Sequence, residues 1–394
     1  MYNFPNVIRA SGVFANEMYH QKLSQKIKKV AQQLGFELVG ITQADPPKMI
    51  DRYQKWLDKG YAGKMDYLKR HLNLKRDPKT ILSEVKSVIS VGMNYHTIEP
   101  DSARKIDPLR GQISRYAWGD DYHDIIRTKL KKLVKIIEKI SRKETRNRVF
   151  VDSGPVLERE YAKNAGLGWL AKNTNLINWE KGSWYFLAEI LIDIPLQPDQ
   201  IEPRGSCGTC TLCIEACPTD AIVEPNILDS RLCISYLTIE LKESIPREIR
   251  SNMGNLIFGC DICQEVCPWN SKATPSSEKG FQPRKGNLLP KLTSLMNMTQ
   301  EEFNRRFKGS PVKRSKRRGF LRNVAVALGN SKDKSAVTVL RKALNDSEPL
   351  VRGHAAWGLG QIGGDDAIQA LRVRLKIEEN PEVIDELKIA IDST

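Results

Sequence analysis

The arrangement of the cysteines constrains this 394-residue chain more than any other feature, because all eight lie between Cys207 and Cys267. The first four form a C-x2-C-x2-C-x3-C-P run: Cys207, Cys210, Cys213 and Cys217. This run is typical of bacterial ferredoxins with two clusters, in which three thiolates on a tight loop bind one cluster and the fourth binds the other. The second half of the pattern follows as Cys233, Cys260, Cys263 and Cys267. The segment therefore predicts a ferredoxin-like domain.

Exchange of the fourth ligands divides the cysteines into two sets. The first cluster is assigned to Cys207, Cys210, Cys213 and Cys267, and the second to Cys217, Cys233, Cys260 and Cys263. Zinc and disulfides are the alternatives, but zinc sites favour two CxxC pairs over a CxxCxxC triplet, and disulfides need an oxidising compartment. We predict two 4Fe-4S clusters that transfer single electrons.

Composition favours a soluble protein with a polyanionic partner. No apolar run approaches the roughly 20 residues of a membrane span, and the N-terminus lacks a signal pattern, so we expect a cytoplasmic protein without membrane contact. The formal net charge is +15, from 62 Lys and Arg against 47 Asp and Glu. Such an excess favours a nucleic acid, although solubility alone is an alternative. No coiled-coil pattern is present, and we expect a monomer.

Periodicity and composition divide the chain into four parts. Residues 1–22 show no clear period and are expected to be a loose extension. Residues 23–195 alternate helical and strand patterns, which predicts an α+β or α/β domain. Residues 196–290 follow a Pro-rich linker and form the ferredoxin-like domain. Residues 291–394 contain a basic segment and a repeat in which NVAVALGN (323–330) matches HAAWGLGQ (354–361) at an offset of 31 residues, which predicts helical HEAT-like repeats packed on the preceding domain.

Two segments are strongly basic. Residues 125–148 carry ten Lys and Arg against two Glu, and residues 305–322 carry nine without an acid. A solvated linker is the alternative, but like charges repel one another unless an anion lies nearby. We predict a folded RNA as the partner. The candidate contacts are Lys313, Arg314, Lys316, Arg317 and Arg318.

Asp152 is the candidate catalytic carboxylate. It follows the predicted buried strand Val149–Val151 and precedes a glycine turn. Desolvation there would favour the protonated acid, which could donate a proton at neutral pH. The alternative is a cap of the helix that is predicted from Val156. Lys172 and Asn173 follow a second glycine turn and could line the same pocket, although a structural loop explains them equally well.

Two short motifs are misleading. Residues 358–363 match G-x-G-x-x-G, but a helical repeat precedes them instead of the strand that a dinucleotide site needs. Asp121 and His123 begin like the cobalamin motif D-x-H-x-x-G, but position 126 is Ile. We therefore expect His123 to be a helix-entry or pocket residue instead of a cobalt ligand.

Five longer motifs together resemble the epoxyqueuosine reductase family. They are RYAWGDDYH (115–123), VDSGPVLERE (151–160), GLGWLAKNTNLI (166–177), CISYLTIE (233–240) and GCDICQEVCPWN (259–270). The resemblance implies that residues 23–195 bind cobalamin in its base-off form against the ferredoxin-like domain, and that Asp152 is the proton donor. It also implies cobalamin contacts at Arg76, Asn173 and Leu176, with Ser235 as a further one. Ser114 aligns where some members have a cysteine over the cobalt.

The resemblance implies reduction of epoxyqueuosine to queuosine at the wobble position of tRNA, with the anticodon stem-loop bound to the basic surfaces and an external electron donor. One rival class is a corrinoid-dependent reductive dehalogenase or a corrinoid-activating reductase, and neither explains the basic segment and the repeats. Another rival is a non-enzymatic electron-transfer adaptor, which would contain clusters but no cobalamin.

Overall fold

The computed structural model describes residues 6–98, 107–201 and 204–393, with side chains described from residue 16 onward. Residues 1–5 of the expected extension and residues 202–203 of the expected linker lie outside the described residues. Helix α1 (Asn6–Gln33) continues past residue 22, so the expectation of a loose segment is wrong for residues 6–22. Residues 16–19 are exposed, and this part of the helix therefore has no buried face there whose period the sequence would reveal.

An antiparallel sheet forms the centre of the N-terminal domain. The strands are β1 (Leu38–Gln43), β2 (Ser87–Asn94), β3 (Gln112–Ile113), β4 (Asn147–Val151), β5 (Trp169–Leu170), β6 (Leu176–Ile177) and β7 (Tyr185–Ile192). The further helices are α2 (Ile50–Asp58), α3 (Asp66–Arg70), α4 (Leu72–Arg76), α5 (Tyr122–Ser141) and α6 (Glu158–Asn164). Four strands pair in the order β1–β2–β7–β4, and every pairing is antiparallel. The domain is therefore α+β.

Helices cover both faces of this sheet. On one face, α1 and α5 pack on the strands through a core that includes Ile27, Ile126 and Ile190. On the other face, Tyr161 of α6 packs in a smaller core with Leu191. Because side chains alternate along a strand, every second residue of β7 points toward α6. Strand β4 ends at Val151, which brings the next residue to the edge of the domain beside the start of α5.

The cysteine-rich domain consists of short elements around its loops. They are α7 (Leu212–Glu215), α8 (Ile234–Ile239), α9 (Arg247–Arg250), α10 (Ile262–Glu265), β8 (Ile222–Glu224), β9 (Ile227–Leu228) and β10 (Leu256–Phe258). Strands β8 and β9 form a hairpin, whereas β10 pairs in parallel with β3 of the N-terminal domain. This pairing fixes the cysteine-rich domain against the sheet domain next to Ser114.

The C-terminal part is helical, as predicted. Its helices are α11 (Leu292–Met296), α12 (Gln300–Arg306), α13 (Lys316–Ser331), α14 (Val337–Ala343), α15 (Pro349–Ile362), α16 (Asp365–Leu375) and α17 (Pro381–Asp392). The two matching sequence repeats lie on α13 and α15. A Cβ atom on Gly329 would stand 2.7 Å from Cα of Gly358, and one on Gly360 would stand 2.9 Å from Cβ of Ala390. These glycines therefore allow close helix packing, which explains the misleading dinucleotide motif.

The repeats pack on the cysteine-rich domain, as expected. Arg322 is fully buried, and its guanidinium donates to the carbonyls of Leu241 at 2.9 Å and Glu243 at 2.6 Å. The side-chain amide of Asn323 donates to the carbonyls of Thr238 and Ile257, both at 2.9 Å. Helix α13 thus satisfies backbone acceptors at the end of α8. Among the described residues, no helix combines the length and apolar character needed to cross a bilayer.

Candidate active site and cluster ligands

The thiols form two neighbouring groups. Burial, followed by the charges of Cys207, Cys267 and Cys210, raises the pKa of Cys213. Burial also raises the pKa of Cys260 to about 12, with Cys233 and Cys217 as contributing thiols. The pKa of Cys263 lies well above its usual range, because it is buried and close to Cys260 and Cys233. The neighbours of Cys213 and Cys260 belong to the same predicted sets as these two cysteines, whereas Cys263 also lies near Cys213, so the division into two ligand sets stays a prediction.

These groups fit iron–sulfur clusters. Backbone N–H groups approach two of the sulfurs, from Ala221 to Cys217 Sγ at 3.3 Å and from Lys172 to Cys207 Sγ at 3.5 Å. Such donors tune the potential of a cluster. Within the described residues, no three His, Cys, Asp or Glu side chains are placed to share a single metal ion. A cubane cluster instead binds each thiolate at a separate iron, and the metal stabilises the deprotonated sulfur.

Asp152 occupies the turn after β4 with a positive φ of 57°. Its Oδ2 accepts a 2.6 Å hydrogen bond from the hydroxyl of Tyr122 and lies 3.7 Å from Nε2 of His123. Nδ1 of His123 lies 2.8 Å from Oδ1 of Asp121. The side chain of Asp152 is 57% exposed, so the expected desolvation is wrong: the strand ends at Val151, and the turn carries the carboxylate outward.

The capping interpretation of Asp152 is wrong as well. Helix α6 begins at Glu158, its N-cap residue is Leu157, and no side chain caps it. The glycine of the turn is required by space, because a Cβ atom on Gly154 would lie 2.6 Å from Phe150. Asp152 is therefore free to interact with ligands on its exposed side.

The surroundings of Tyr122 keep its hydroxyl a hydrogen-bond donor to Asp152. Its ring stacks on Phe186 and on His123, with both centroid distances at 4.1 Å. Burial and then the charge of Asp152 raise the pKa of Tyr122 well above its usual range. The phenol therefore keeps its proton at neutral pH and orients Asp152 through its hydrogen bond to Oδ2.

Tyr116 lies between Asp152 and the second group of cysteines. Its ring centroid is 6.1 Å from that of Tyr122 and 6.0 Å from that of Phe258. Burial raises the pKa of Tyr116 well above its usual range, and the charges of Asp152 and Asp261 add to the effect. A Cβ atom on Gly259, the residue before Cys260, would lie 3.3 Å from Cε1 of Tyr116, so Tyr116 adjoins both Tyr122 and the start of the second ligand group.

Three of the residues with an implied cobalamin contact lie at the boundary between the two domains. Ser114 Oγ donates to the carboxylate of the buried Asp261. The side-chain amide of the buried Asn173 donates to the carbonyl of Cys263 at 3.1 Å. Ser235 lies on α8, two residues after Cys233. These polar groups from both domains suit a large polar cofactor bound against the second cluster.

The other two implied contacts lie elsewhere. Arg76 is exposed, and its guanidinium donates to Oε1 of Gln54 at 3.3 Å. The side chain of Leu176 is buried in a small apolar core with Ala162 and Leu187. Lys172 could have lined the Asp152 pocket or belonged to a structural loop. Its Nζ donates to the carbonyls of residues 208 and 210, at 2.8 and 2.9 Å, so it supports the loop that carries Cys207 and Cys210.

The five candidate RNA contacts differ in their surroundings. Lys313, Lys316 and Arg318 are exposed. Arg317 is largely buried and donates to Asp346 at 2.5 and 3.1 Å, which makes it a structural ion pair. Arg314 forms an ion pair with Glu240.

Arg314 lies at the edge of the Asp152 site. Its guanidinium donates to both carboxylate oxygens of Glu240 at 2.9 Å and stands 5.9 Å from the centroid of the Tyr67 ring. The hydrogen bond to Glu240 raises the pKa of Arg314, and the charge of Asp152 also contributes. Tyr122, Tyr67 and Glu240 were missed as site residues; only the position of Tyr122 beside His123 in RYAWGDDYH hinted at its role.

Comparison with known proteins identifies the family. A family model described as epoxyqueuosine reductase QueG, DUF1730 matches residues 75–153. Models for a 4Fe-4S double cluster binding domain and for HEAT repeats match residues 206–270 and 314–391. The epoxyqueuosine reductase of Escherichia coli strain K12 is 44% identical over 341 residues, which cover 86% of this chain and 89% of that protein. The chain belongs to the epoxyqueuosine reductase family.

Solved epoxyqueuosine reductases share the whole fold. One was crystallised with a tRNA-Tyr epoxyqueuosine-modified stem loop; its TM-score is 0.88 at 32% identity, covering 94% of this chain and 98% of that one. The Bacillus subtilis enzyme, solved with its catalytic aspartate loop swung out of the active site, has a TM-score of 0.87 at 32% identity and covers 94% of this chain and 99% of that one. These likenesses confirm the predicted fold and family, and the double-cluster match confirms the predicted pair of 4Fe-4S clusters.

Proposed function

We propose that this chain reduces epoxyqueuosine to queuosine at the wobble position of tRNA, with two 4Fe-4S clusters and cobalamin as cofactors. The observation that carries the proposal is the row of contacts in which Asp152 accepts from Tyr122 at 2.6 Å, Tyr122 lies beside Tyr116, and Tyr116 lies beside the residue before Cys260. A dehalogenase or a corrinoid-activating reductase does not explain the exposed side chains of the basic segment or the repeats, whereas an RNA substrate explains the basic side chains.

The net reaction converts an epoxide to an alkene, consumes two electrons and two protons, and releases water. When bound, the clusters supply single electrons and cobalamin supplies the low-potential cobalt centre at which the epoxide is reduced. Asp152 in its acid form gives a proton to the ring oxygen as the C–O bond opens. The Tyr122 hydroxyl then stabilises the carboxylate that remains, and His123, within 3.7 Å of the same oxygen, completes the polar edge of the site.

Other residues and domains would bind the cofactors and the tRNA. Ser114, Asn173 and Ser235 would hold the corrin at the domain boundary, and only the resemblance supports further contacts from Arg76 and Leu176. Residues 23–195 would form the cobalamin-binding catalytic domain, residues 196–290 the two-cluster domain, and residues 291–394 the tRNA-binding part. An external electron donor would reduce the clusters of a monomeric enzyme.

The substrate would reach Asp152 as an extruded base. Lys313, Lys316 and Arg318 are exposed on the basic segment and would bind phosphates of the anticodon stem-loop. Arg314 at the edge of the site would stand between these phosphates and the extruded nucleoside.

Anaerobically purified protein tests this proposal against its rivals. The protein is incubated with cobalamin, a strong reductant and tRNA that contains epoxyqueuosine, and the nucleosides are then analysed. We expect about eight irons per chain, a retained corrin absorbance and formation of queuosine. A corrin-containing protein that reduces an organohalide but not the tRNA would favour the dehalogenase. A protein with clusters and no corrin would favour the adaptor.

A further inference from the structure

A buried polar group lies beneath the turn that carries Asp152. Glu189, in the middle of β7, is fully buried, and neither carboxylate oxygen has a hydrogen-bond partner among the described residues. Its cross-strand neighbour on β2 is Ser90, whose Oγ is also buried without a described partner. Directly opposite residues point to the same face of a sheet, and this face is the one that α6 covers. A carboxylate in such a place is costly unless a cation lies close by.

Lys75 lies near this buried acid. It belongs to α4, is only 8% exposed, and its Nζ donates to the carbonyl of Val156 at 3.1 Å and to that of Gly154 at 3.4 Å. Both carbonyls belong to the turn that begins with Asp152. Between them, Pro155 has no N–H to donate. The lysine therefore provides hydrogen bonds that the turn does not make by itself.

The charges around Lys75 are those of three acids. Burial lowers the pKa of Lys75, whereas Glu158, Glu189 and Asp152 oppose this effect. Burial and then Asp152 raise the pKa of Glu158 to about 8. Burial likewise raises the pKa of Glu189, and Glu158 and Asp152 add to it. Lys75 therefore lies near three acids, and burial favours the protonated forms of Glu158 and Glu189.

We propose that Lys75 is a positioning residue whose hydrogen bonds to the carbonyls of Gly154 and Val156 hold the turn 152–156, so that Asp152 stays beside Tyr122. The Bacillus subtilis relative was solved with its catalytic aspartate loop swung out of the active site, so a loop of this kind has a second position. An outward movement of the turn here would break both hydrogen bonds of Lys75. Because Lys75 precedes Arg76, one short helix carries the anchor of the turn and an implied cofactor contact.

This inference rests on the proposed role of Asp152, and Lys75→Met tests it in the holoenzyme. The matched control is Lys79→Met, which removes an exposed positive charge four residues away. Hydrogen exchange of the peptide 150–158 is measured by mass spectrometry, together with single-turnover conversion of the tRNA. Two lost hydrogen bonds from a charged donor predict about 10-fold faster exchange of the turn and about 10-fold slower conversion, with an unchanged KM for tRNA. Lys79→Met should match the wild-type enzyme in both measurements.

Lys75→Arg provides a second test that keeps a charged donor at this position. It should leave exchange of the turn closer to the wild-type rate than Lys75→Met does, while iron and corrin contents of both variants stay at the wild-type level. If Lys75→Met leaves exchange of the turn unchanged, Lys75 does not hold the turn, whatever the turnover. A wild-type enzyme that fails to convert the tRNA would instead refute the proposed function, and the exchange comparison would still decide the role of Lys75.

Discussion

The hydroxyl of Tyr122 donates a 2.6 Å hydrogen bond to Oδ2 of Asp152, which joins the first residue of α5 to the turn after β4. Tyr122 begins helix α5, and Asp152 directly follows strand β4. The ring of Phe186 stacks on the phenol ring and holds it in place. A buried donor aimed at an exposed carboxylate orients the acid. Tyr122 is therefore the nearest partner of the proposed proton donor.

Replacement of Tyr122 by Phe should lower kcat by about 10-fold, because one hydrogen bond to a charged acceptor is lost. Cobalamin affinity, measured by absorbance titration, should stay the same. Tyr19→Phe is the control, since Tyr19 is exposed and its hydroxyl contacts only the Ser141 carbonyl at 3.5 Å among its described hydrogen bonds. Equal kcat values for the two variants would show that the Tyr122 hydroxyl has no part in turnover.

The exchange of fourth ligands can be tested by single cysteine variants. Cys217→Ala should remove the second cluster, although Cys217 belongs to the first sequence motif, and should leave about four irons instead of about eight. Cys267→Ala should remove the first cluster in the same way. The electron paramagnetic resonance spectrum of reduced Cys217→Ala should match that of Cys260→Ala. A match with Cys207→Ala would show that each motif holds its own cluster.

The basic segment should contain two kinds of arginine. Arg318→Ala removes an exposed charge and should weaken tRNA binding, with the slope of log K against log salt reduced by about 1. Arg317→Ala breaks a largely buried ion pair with Asp346 and should lower the free energy of unfolding by about 3 kcal/mol. Salt-dependent binding and thermal unfolding of both variants separate the two roles. A stability loss in Arg318→Ala alone would contradict this assignment.

The buried His354 should make stability depend on pH. Burial holds the pKa of His354 well below its usual range. Its Nε2 accepts from the Ile245 amide at 3.2 Å, and Nδ1 stands 2.8 Å from the Leu350 carbonyl, so only the neutral ring satisfies both contacts. With the folded-state pKa depressed, this contribution to stability is complete above a pH of about 6.5 and is lost as the pH falls.

Thermal unfolding at a pH of about 7.5 and about 5.5 tests this prediction. The wild-type midpoint should fall on acidification by more than that of His354→Gln, which cannot gain a proton. Both proteins contain the same clusters, so their difference isolates the histidine. Equal falls for the two proteins would exclude His354 as a source of the pH dependence.

The features that the sequence predicts well are those with local patterns. The cysteine triplet, the prolines after Cys217 and Cys267, and the matching repeats are each visible within a few residues, and they predicted the cluster domain and the helical end. The strand before Asp152 was visible for the same reason. The exposure of Asp152 was not visible in the sequence, because the point at which β4 leaves the sheet depends on pairing with β7.

Long-range contacts explain the features that sequence reasoning missed. Tyr122 and Asp152 are 30 residues apart, and no periodicity connects them. Lys75 looks like any surface lysine until the turn at residues 154–156 folds over it. Arg322 belongs to a run of basic residues that composition assigns to RNA, yet its guanidinium binds carbonyls about 80 residues earlier in the chain. Burial of such side chains depends on partners that the sequence does not mark.

The role of Asp152 as proton donor in the reduction of epoxyqueuosine is best tested with matched preparations of the wild-type enzyme and Asp152→Asn. Each preparation is given tRNA that contains epoxyqueuosine. Both preparations should contain about eight irons and the same amount of corrin, and they are compared in single turnovers with nucleoside analysis. We predict that the wild-type enzyme forms queuosine and that Asp152→Asn forms none. Queuosine formation by Asp152→Asn at the wild-type rate, or no conversion by a fully loaded wild-type enzyme, would contradict the account.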